Sequence, residues 1–154
     1  MLACARAGVA VEVVPGVSSA LAVPAAAGIP VTHRGLASSF AIVTGHEDPA
    51  KPGSAVDWER LATAVDTLVI LMGVGALPRI TCRLLAAGRS AATPVAVIHR
   101  GTTEAEETLV GTLGDIAVRA AHLPSPAVIV IGEAVTFRSL LARPLLEAVA
   151  THRP

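Results

Sequence analysis

Short apolar runs rich in valine and isoleucine recur along the chain, and each ends at or near a glycine. The runs cover residues 9–14, 40–44, 67–72, 93–98 and 127–131. They are continuous rather than alternating, which is typical of strands that are covered on both faces. The pattern therefore predicts a buried sheet of about five strands. A further short strand at 108–111 is expected to pair antiparallel with a neighbour.

Segments with helical spacing of apolar residues lie between these runs. The predicted helices begin at 18 or 19 and end at 27, and then cover 57–65, 77–87, 113–121 and 139–150. Ser18 or Ser19 can cap the first helix and Asp57 the second, while Gly28 can end the first. The alternation of strands and helices predicts an α/β fold, with a mixed, mostly parallel sheet and helices on both faces.

Composition narrows the class of protein. The chain has 154 residues, about the length of one domain, and its 53% hydrophobic and 16% charged residues are far from a disordered composition. The formal net charge is zero, no basic run is present and aromatic residues make up only 2%, so nucleic-acid binding is not expected.

Two further features bear on location. The apolar runs are broken well short of the ~18 residues that a membrane-spanning helix needs. Cys4 and Cys82 match no metal-binding spacing and are interpreted as reduced thiols. Together these features predict a soluble, cytoplasmic domain with no membrane association and no metal site.

Four glycine-containing junctions follow predicted strands, at residues 15–19, 44–46, 72–75 and 99–103. Ligands of open α/β sheets bind beyond the carboxyl ends of the strands, so these junctions are expected to line one cleft. The alternative is that the glycines only allow turns, and it stays open for each junction. Gly73-Val74-Gly75 lacks the third glycine of a dinucleotide loop, because Pro78 occupies that position. The residues alone thus predict a small-molecule cleft and assign no catalytic group.

Five ordered segments resemble the C-terminal half of the tetrapyrrole methyltransferase family, and most closely its uroporphyrinogen-III C-methyltransferase branch. They are VEVVPGVSSALAVPAAAGIPVTHRG (11–35), SSFAIVTGHE (38–47), TLVILMGVGALPRI (67–80), TPVAVIHRGTTEAEETLVGTL (93–113) and PSPAVIVIGEAV (124–135). The resemblance implies the C-terminal domain of the class III methyltransferase fold over residues 1–137, followed by a C-terminal helix or tail at 138–154.

The resemblance also implies a ligand set. The cofactor would be S-adenosyl-L-methionine, with S-adenosyl-L-homocysteine as its product, held in a cleft between two domains. By matching positions, the cofactor-binding residues would be Ser18, Ser19, Met72 and Gly101, with Ala96 and Ala127 as weaker candidates. Arg34 and His46 would face the carboxylates of a tetrapyrrole substrate, and His33 would lie on the same side. The alternative that these last side chains cap strands and turns stays open.

The implied reaction is the C-methylation of uroporphyrinogen III to precorrin-2, in sirohaem and cobalamin biosynthesis, by a homodimer. The family's Gly-Asp-Pro motif and probable acid/base residues belong to an N-terminal half without a match in this sequence. We therefore expect this chain to supply only part of an active site, with a separate N-terminal half as a possible partner. Two alternatives stay open: another precorrin methyltransferase or diphthine synthase, and an isolated dimerisation or folding domain without activity.

Overall fold

A computed structural model describes residues 1–46 and 56–141. Its centre is a five-stranded sheet in the order β1-β2-β5-β3-β4. The strands are β1 (Phe40–Thr44), β2 (Thr67–Leu71), β3 (Pro94–His99), β4 (Glu107–Thr112) and β5 (Ala127–Ile131). The apolar runs predicted four of these strands to within one residue at either end. The short strand expected at 108–111 is confirmed as β4, which pairs antiparallel with β3.

The expectation of a mostly parallel sheet is wrong. Only β1 and β2 pair parallel, whereas β5 runs antiparallel to both of its neighbours, β2 and β3. A continuous apolar run has the same composition in either direction, so it carries no signal for strand polarity. The ends of β1, β2 and β3 (Thr44, Leu71 and His99) nevertheless share one edge with the start of β5, because Leu71 and Ile98 both pair with Val128. We call this edge the carboxyl edge, and the opposite edge the amino edge.

Helices cover both faces of the sheet, as predicted. The covering helices are α2 (Ser19–Ala26), α3 (Trp58–Ala64), α4 (Leu77–Ala86) and α5 (Ile116–Arg119), with 3-10 turns at Val74–Ala76 and Glu133–Thr136. A further helix, α1 (Leu2–Arg6), buries none of its residues. The Ser18 side chain caps α2 by accepting the Ala20 N–H at 3.2 Å, and Asp57 caps α3 by accepting the Arg60 N–H at 3.0 Å. Helix α5 is shorter than predicted. Most of the helix predicted at 139–150 lies outside the described residues, although 137–141 are helical.

Two apolar layers hold the fold together. On one face, α3, α4 and α5 bury residues such as Trp58, Ile80 and Ile116 against the sheet. On the other face, α2 packs Val23 against the sheet, in the same layer as Ile98 and other strand residues. Successive strand residues alternate between the two layers, which is the period of two that a pleated sheet imposes. The second layer contains a cavity at the carboxyl edge, described below.

The strand predicted at 9–14 is not formed. This segment pairs with no strand among the described residues, and its valines are exposed, Val14 by 84%. An apolar run becomes a strand only when a neighbour satisfies its backbone groups, and the described sheet offers none here. In the part of the chain that the structure describes, no helix is long and apolar enough to cross a membrane.

Asp66 ties the segment that enters β1 to the start of β2. Its carboxylate accepts the N–H groups of Ser38 (2.8 Å) and Ser39 (3.0 Å) and the Ser39 hydroxyl (2.9 Å). The Ser38 N–H and then the two Ser39 donors favour the ionised form, and they hold the pKa of Asp66 below its ordinary value. Folding therefore favours the charged carboxylate at this position.

This linkage predicts an acid-dependent loss of stability. The contribution of Asp66 is complete above the unfolded pKa of about 3.9, and it disappears as the pH falls through the lower folded value. Asp66→Asn is expected to lower the free energy of unfolding at neutral pH and to flatten its decline below about pH 4. Urea unfolding at several pH values measures both effects. Glu104→Gln changes an exposed carboxyl as the matched control, and an Asp66→Asn variant with the unaltered acid profile would contradict the linkage.

Candidate functional site

A cavity of about 410 Å³ opens at the carboxyl edge. It is lined by one turn of α2 and by the ends of β2, β3 and β5 with the turns beside them. The lining residues are Ser19, Val23, Leu71, Met72, Ile98, Arg100, Gly101, Thr103, Pro126, Ala127 and Val128. The volume falls within the range typical of small-molecule pockets, ~300–1,000 Å³. Three of the four predicted glycine junctions contribute to it: the one at 15–19 through Ser19, and those after β2 and β3.

The sheet supplies an apolar floor to this pocket. Leu71, Val128 and Ile98 are neighbours in register across β2, β5 and β3, and they belong to the layer that α2 covers. Ser19 and Val23 lie four residues apart on α2, and so on the same face of that helix. The pocket is thus suited to a flat, largely apolar group with a few polar atoms.

Strained backbone marks the turns around the pocket. Met72, Arg100 and Thr102 have φ angles of 54°, 45° and 70°, and they are the non-glycine residues with positive φ in the described chain. Each such conformation costs about 1–2 kcal/mol for a residue with a Cβ. All three follow β2 or β3 at the carboxyl edge, and Met72 is 65% exposed there. Strain that is concentrated in this way is typical of functional sites.

Gly101 brings β3 and α2 together. A Cβ at position 101 would overlap Val23 Cγ1, and it would lie 3.0 Å from Val23 Cγ2 and 3.1 Å from Ile98 Cγ2. Only glycine therefore allows this approach between the helix and the end of the strand. A different contact explains two of the other junction glycines, since a Cβ on Gly45 would overlap the backbone of Gly73. Gly45 and Gly73 thus have a packing role.

Pro126 lines the pocket just before β5, and its carbonyl oxygen accepts two hydrogen bonds. The Pro126 carbonyl accepts the Arg100 N–H at 3.1 Å and His99 Nδ1–H at 3.0 Å. Because a carbonyl can only accept, the His99 proton must lie on Nδ1. Arg100 in turn accepts the Thr103 hydroxyl at 2.7 Å through its own carbonyl. The turn after β3 and the start of β5 are therefore fixed relative to each other.

The predicted cofactor residues are partly brought together. Ser19, Met72, Gly101 and Ala127 all line the pocket. Ser18 does not line it, and its hydroxyl caps the first turn of α2 beside it. Ala96 is fully buried in the sheet between Val110 and Val130, outside the pocket.

The structure separates the predicted substrate residues. The His33 ring packs against the Phe137 ring with centroids 4.0 Å apart, and its Nδ1–H donates to the Arg34 carbonyl at 2.9 Å. This turn leads into Ser38 and Ser39, which bind Asp66 at the amino edge. Arg34 is not among the residues that line the pocket, and His46 follows β1 at the carboxyl edge without lining the cavity. His33 thus precedes the segment that binds Asp66, whereas His46 follows β1, and a shared place beside a substrate stays a prediction.

Sequence reasoning did not assign the other seven lining residues to the site individually: Val23, Leu71, Ile98, Arg100, Thr103, Pro126 and Val128. Val23 could have been found from its spacing of four residues from Ser19 on a predicted helix. Arg100 lies within a junction that the glycine pattern did identify. Pro126 had no comparable signal, because its position depends on β5 entering the sheet between β2 and β3.

A second cavity, of about 300 Å³, lies at the amino edge beside Asp66, Arg89 and Glu133. The Arg89 guanidinium donates to the backbone carbonyls of Asp66 at 2.7 Å and of Val65 at 3.4 Å. Burial lowers the pKa of Arg89 from its ordinary value, and the Asp66 and Glu133 carboxylates oppose that shift. Arg89 therefore has a structural role, because its hydrogen bonds fix the segment between α3 and β2. Residues 1–46 and 56–141 contain no group of three or more His, Cys, Asp or Glu side chains that could hold a metal ion.

Fold and pocket together define an α/β domain with a ligand site at the carboxyl edge of a mixed sheet. The sequence profile of the family described as Tetrapyrrole (Corrin/Porphyrin) Methylases matches residues 1–117, which is well over half of the chain. The chain belongs to the tetrapyrrole methylase family.

Individual relatives agree with this assignment. The chain is 50% identical over 132 residues to the S-adenosyl-L-methionine-dependent uroporphyrinogen III methyltransferase of Methanosarcina barkeri, covering 84% of this chain and 52% of that protein. It is 46% identical over 132 residues to the uroporphyrinogen-III C-methyltransferase of Priestia megaterium, covering 84% of this chain and 55% of the relative. The chain thus spans about half the length of the curated relatives it matches.

A solved structure gives the same fold. The uroporphyrin-III C-methyl transferase of Thermus thermophilus, in its complex with S-adenyl homocysteine, superimposes with a TM-score of 0.75 at 40% identity. The match covers 88% of this chain and 58% of that one. The class III methyltransferase fold expected from the sequence is confirmed for the part that the structure describes.

Proposed function

We propose that this chain supplies one wall of the cofactor cleft of an S-adenosylmethionine-dependent methyltransferase acting on uroporphyrinogen III. One observation carries the proposal: Ser19, Met72, Gly101 and Ala127, expected at the cofactor from sequence motifs alone, all line a single apolar pocket. The similar Thermus thermophilus enzyme, whose structure is described as a complex with S-adenyl homocysteine, supports the same ligand for this pocket. The reaction would lead from uroporphyrinogen III to precorrin-2, and so to sirohaem and cobalamin.

The pocket fits such a cofactor chemically. The floor of Leu71, Ile98 and Val128 can pack against a planar base, and the unbranched thioether of Met72 adapts to a ring face. Gly101 lets the end of β3 approach α2 closely, which brings the two sides of the pocket together. Ser19 supplies a hydroxyl group to the lining, whereas the Thr103 hydroxyl donates to the Arg100 carbonyl. An apolar, partly enclosed surface also excludes water from a reactive sulfonium.

When bound, the cofactor supplies a methyl group activated by its sulfonium. This chain's contribution is to hold that group in line with an electron-rich pyrrole carbon, since positioning accounts for much of the acceleration of such a displacement. The new carbon–carbon bond forms as the carbon–sulfur bond breaks, and the sulfur keeps the electron pair. Because that pyrrole carbon already bears a carboxyalkyl side chain, it becomes quaternary, and the proton that restores neutrality would leave from another atom of the macrocycle. Because no carboxylate, histidine or lysine lines the described pocket, we assign proton removal to a group outside it.

A complementation assay tests the proposed function. The purified chain is mixed with the N-terminal half of the Methanosarcina barkeri relative, together with S-adenosylmethionine and uroporphyrinogen III. We expect the fluorescence of trimethylpyrrocorphin from the mixture and none from either half alone. A mixture that stays inactive while the chain still binds S-adenosylhomocysteine would limit the function to cofactor binding. Micromolar affinity for S-adenosylhomocysteine in this chain alone would contradict the one-wall arrangement.

A second proposed function is self-association, and the exposed valines at 9–17 favour it. Val14 and Val17 are 84% and 87% exposed in a segment that has no strand partner among the described residues. Apolar surface of this kind is typical of protein interfaces. We propose a homodimer, with a light-scattering mass of twice the 15.5 kDa of one chain, and a monomeric mass at all concentrations would contradict it.

The cytoplasm is the location we propose. Cys4 and Cys82 are free and exposed, which suits a reducing compartment.

A further inference from the structure

Arg100 differs from every other residue that lines the carboxyl-edge pocket. The remaining lining residues are apolar, or carry only a hydroxyl group as Ser19 and Thr103 do. Among the described residues, Arg100 is thus the single charged one in the lining. Arg100 is an exposed residue, so its guanidinium can stay solvated beside the pocket when no ligand is bound.

The backbone of Arg100 is fixed at the pocket. Its N–H donates to the Pro126 carbonyl at 3.1 Å, and its own carbonyl accepts the Thr103 N–H at 3.2 Å and the Thr103 hydroxyl at 2.7 Å. Its φ of 45° lies in the left-handed region, where glycine would fit without strain. A strained conformation with a long charged side chain at a pocket is a reason to look for a ligand group.

No acidic side chain of the described chain pairs with Arg100. The ion pairs in residues 1–46 and 56–141 join Arg60, Arg83, Arg119 and His122 to their acidic partners. The acid close by in sequence, Glu106, accepts the Thr102 N–H at 2.8 Å and the Thr108 hydroxyl at 3.1 Å. The Arg100 guanidinium therefore keeps its five donors available.

We infer that Arg100 is the carboxylate-binding residue of this pocket. A planar guanidinium presents paired N–H groups that match a carboxylate in two-pronged geometry. The inference rests on the proposed function, whose ligands carry carboxylates of two kinds: the amino-acid carboxylate of the cofactor and the acidic side chains of the tetrapyrrole. It assigns to Arg100 the role that the sequence motif suggested for Arg34, which lies at the amino edge.

Three probes and two variants test this inference on the full chain. The variants are Arg100→Gln, which removes the charge, and Arg100→Lys, which keeps the charge without the planar fork. The probes are S-adenosylhomocysteine, 5′-methylthioadenosine, which shares the adenosine but has no carboxylate, and uroporphyrin III, a stable octacarboxylate. Affinities are taken from amide shifts in nitrogen-15 spectra, which also report folding. Arg119→Gln on α5 is the matched control, because its side chain pairs with Asp115 away from the pocket.

Arg100→Gln is expected to weaken a carboxylate ligand about tenfold, as loss of a charge-assisted hydrogen bond predicts. Arg100→Lys should lose less, and binding of 5′-methylthioadenosine should not change in either variant. A loss confined to S-adenosylhomocysteine identifies the cofactor carboxylate, and a loss confined to uroporphyrin identifies the substrate carboxylates. Unchanged affinity for both carboxylate ligands in Arg100→Gln would overturn the inference and leave the proposed function intact. If the unaltered chain binds none of the three probes, the proposed function itself fails.

Discussion

Gly101→Ala is expected to remove measurable binding of S-adenosylhomocysteine and to lower the free energy of unfolding by about 1–3 kcal/mol, the usual cost of overpacking. The added methyl group would overlap Val23 Cγ1 and press on Ile98. Helix α2 must then move away from β3, or the turn after β3 must shift. Either movement changes the distance between the two sides of the pocket. Nitrogen-15 titrations and urea unfolding measure the two effects.

A double variant and a control glycine substitution test whether the contact between Val23 and Gly101 causes both effects. In Val23→Ala/Gly101→Ala, truncation of Val23 removes both of its Cγ atoms, so the double variant should recover part of the binding and of the stability. The two changes are in contact, and a coupling of about 0.5–3 kcal/mol is expected. Gly75→Ala is the matched control, since a Cβ there meets nothing within 4 Å. Simple additivity of the two changes would mean that the contact between Val23 and Gly101 does not set the width of the pocket.

Met72→Gly is expected to separate binding from stability. The φ of 54° strains a methionine but not a glycine, so the substitution should relieve about 1–2 kcal/mol of strain in the folded state. Glycine also raises the conformational entropy of the unfolded chain, which lowers the free energy of unfolding and offsets that gain. The free energy of unfolding should stay the same or rise slightly. Affinity for S-adenosylhomocysteine should fall about five- to tenfold, because the thioether contact with the adenine is lost.

Met72→Leu provides the comparison for this prediction. Leucine keeps the apolar bulk and the strained φ, so the affinity is expected to stay within about threefold of the unaltered chain. Thermal unfolding and the same titrations distinguish the two variants. If Met72→Gly binds as tightly as the unaltered chain, the exposed methionine is not part of the cofactor site.

The strands and the site differ in how far the sequence could predict them. Continuous apolar runs identified β2, β3 and β5, because strands that are buried on both faces are made almost wholly of apolar residues. The same composition identified β1, although Phe40 and Ile42 on this edge strand are exposed. Composition could not predict the direction of β5, because that direction depends on how the strand pairs with β2 and β3 in the folded sheet. The run at 9–14 has the right composition for a strand, and it fails because strand formation also requires a partner.

The same reasoning applies to individual site residues. Gly101 was predicted from its place after a strand, and its contact with Val23 gives the physical reason for a glycine there. Arg34 was assigned to the substrate from a motif, but its position depends on where the turn after α2 leads. That turn leads to the amino edge, where Asp66 holds Ser38 and Ser39. Arg100, by contrast, reaches the pocket through a strained turn whose φ no motif encodes.

The most direct test of the central claim is a titration of the nitrogen-15-labelled chain with S-adenosylhomocysteine. The account predicts that the largest amide shifts occur at Ser19, Met72, Gly101 and Ala127. The amides of Gly88 and Gly114, at the amino edge, should not move. Shifts centred on the amino-edge cavity beside Asp66 and Arg89, or no shifts at millimolar ligand, would contradict the assignment of the carboxyl-edge pocket to the cofactor.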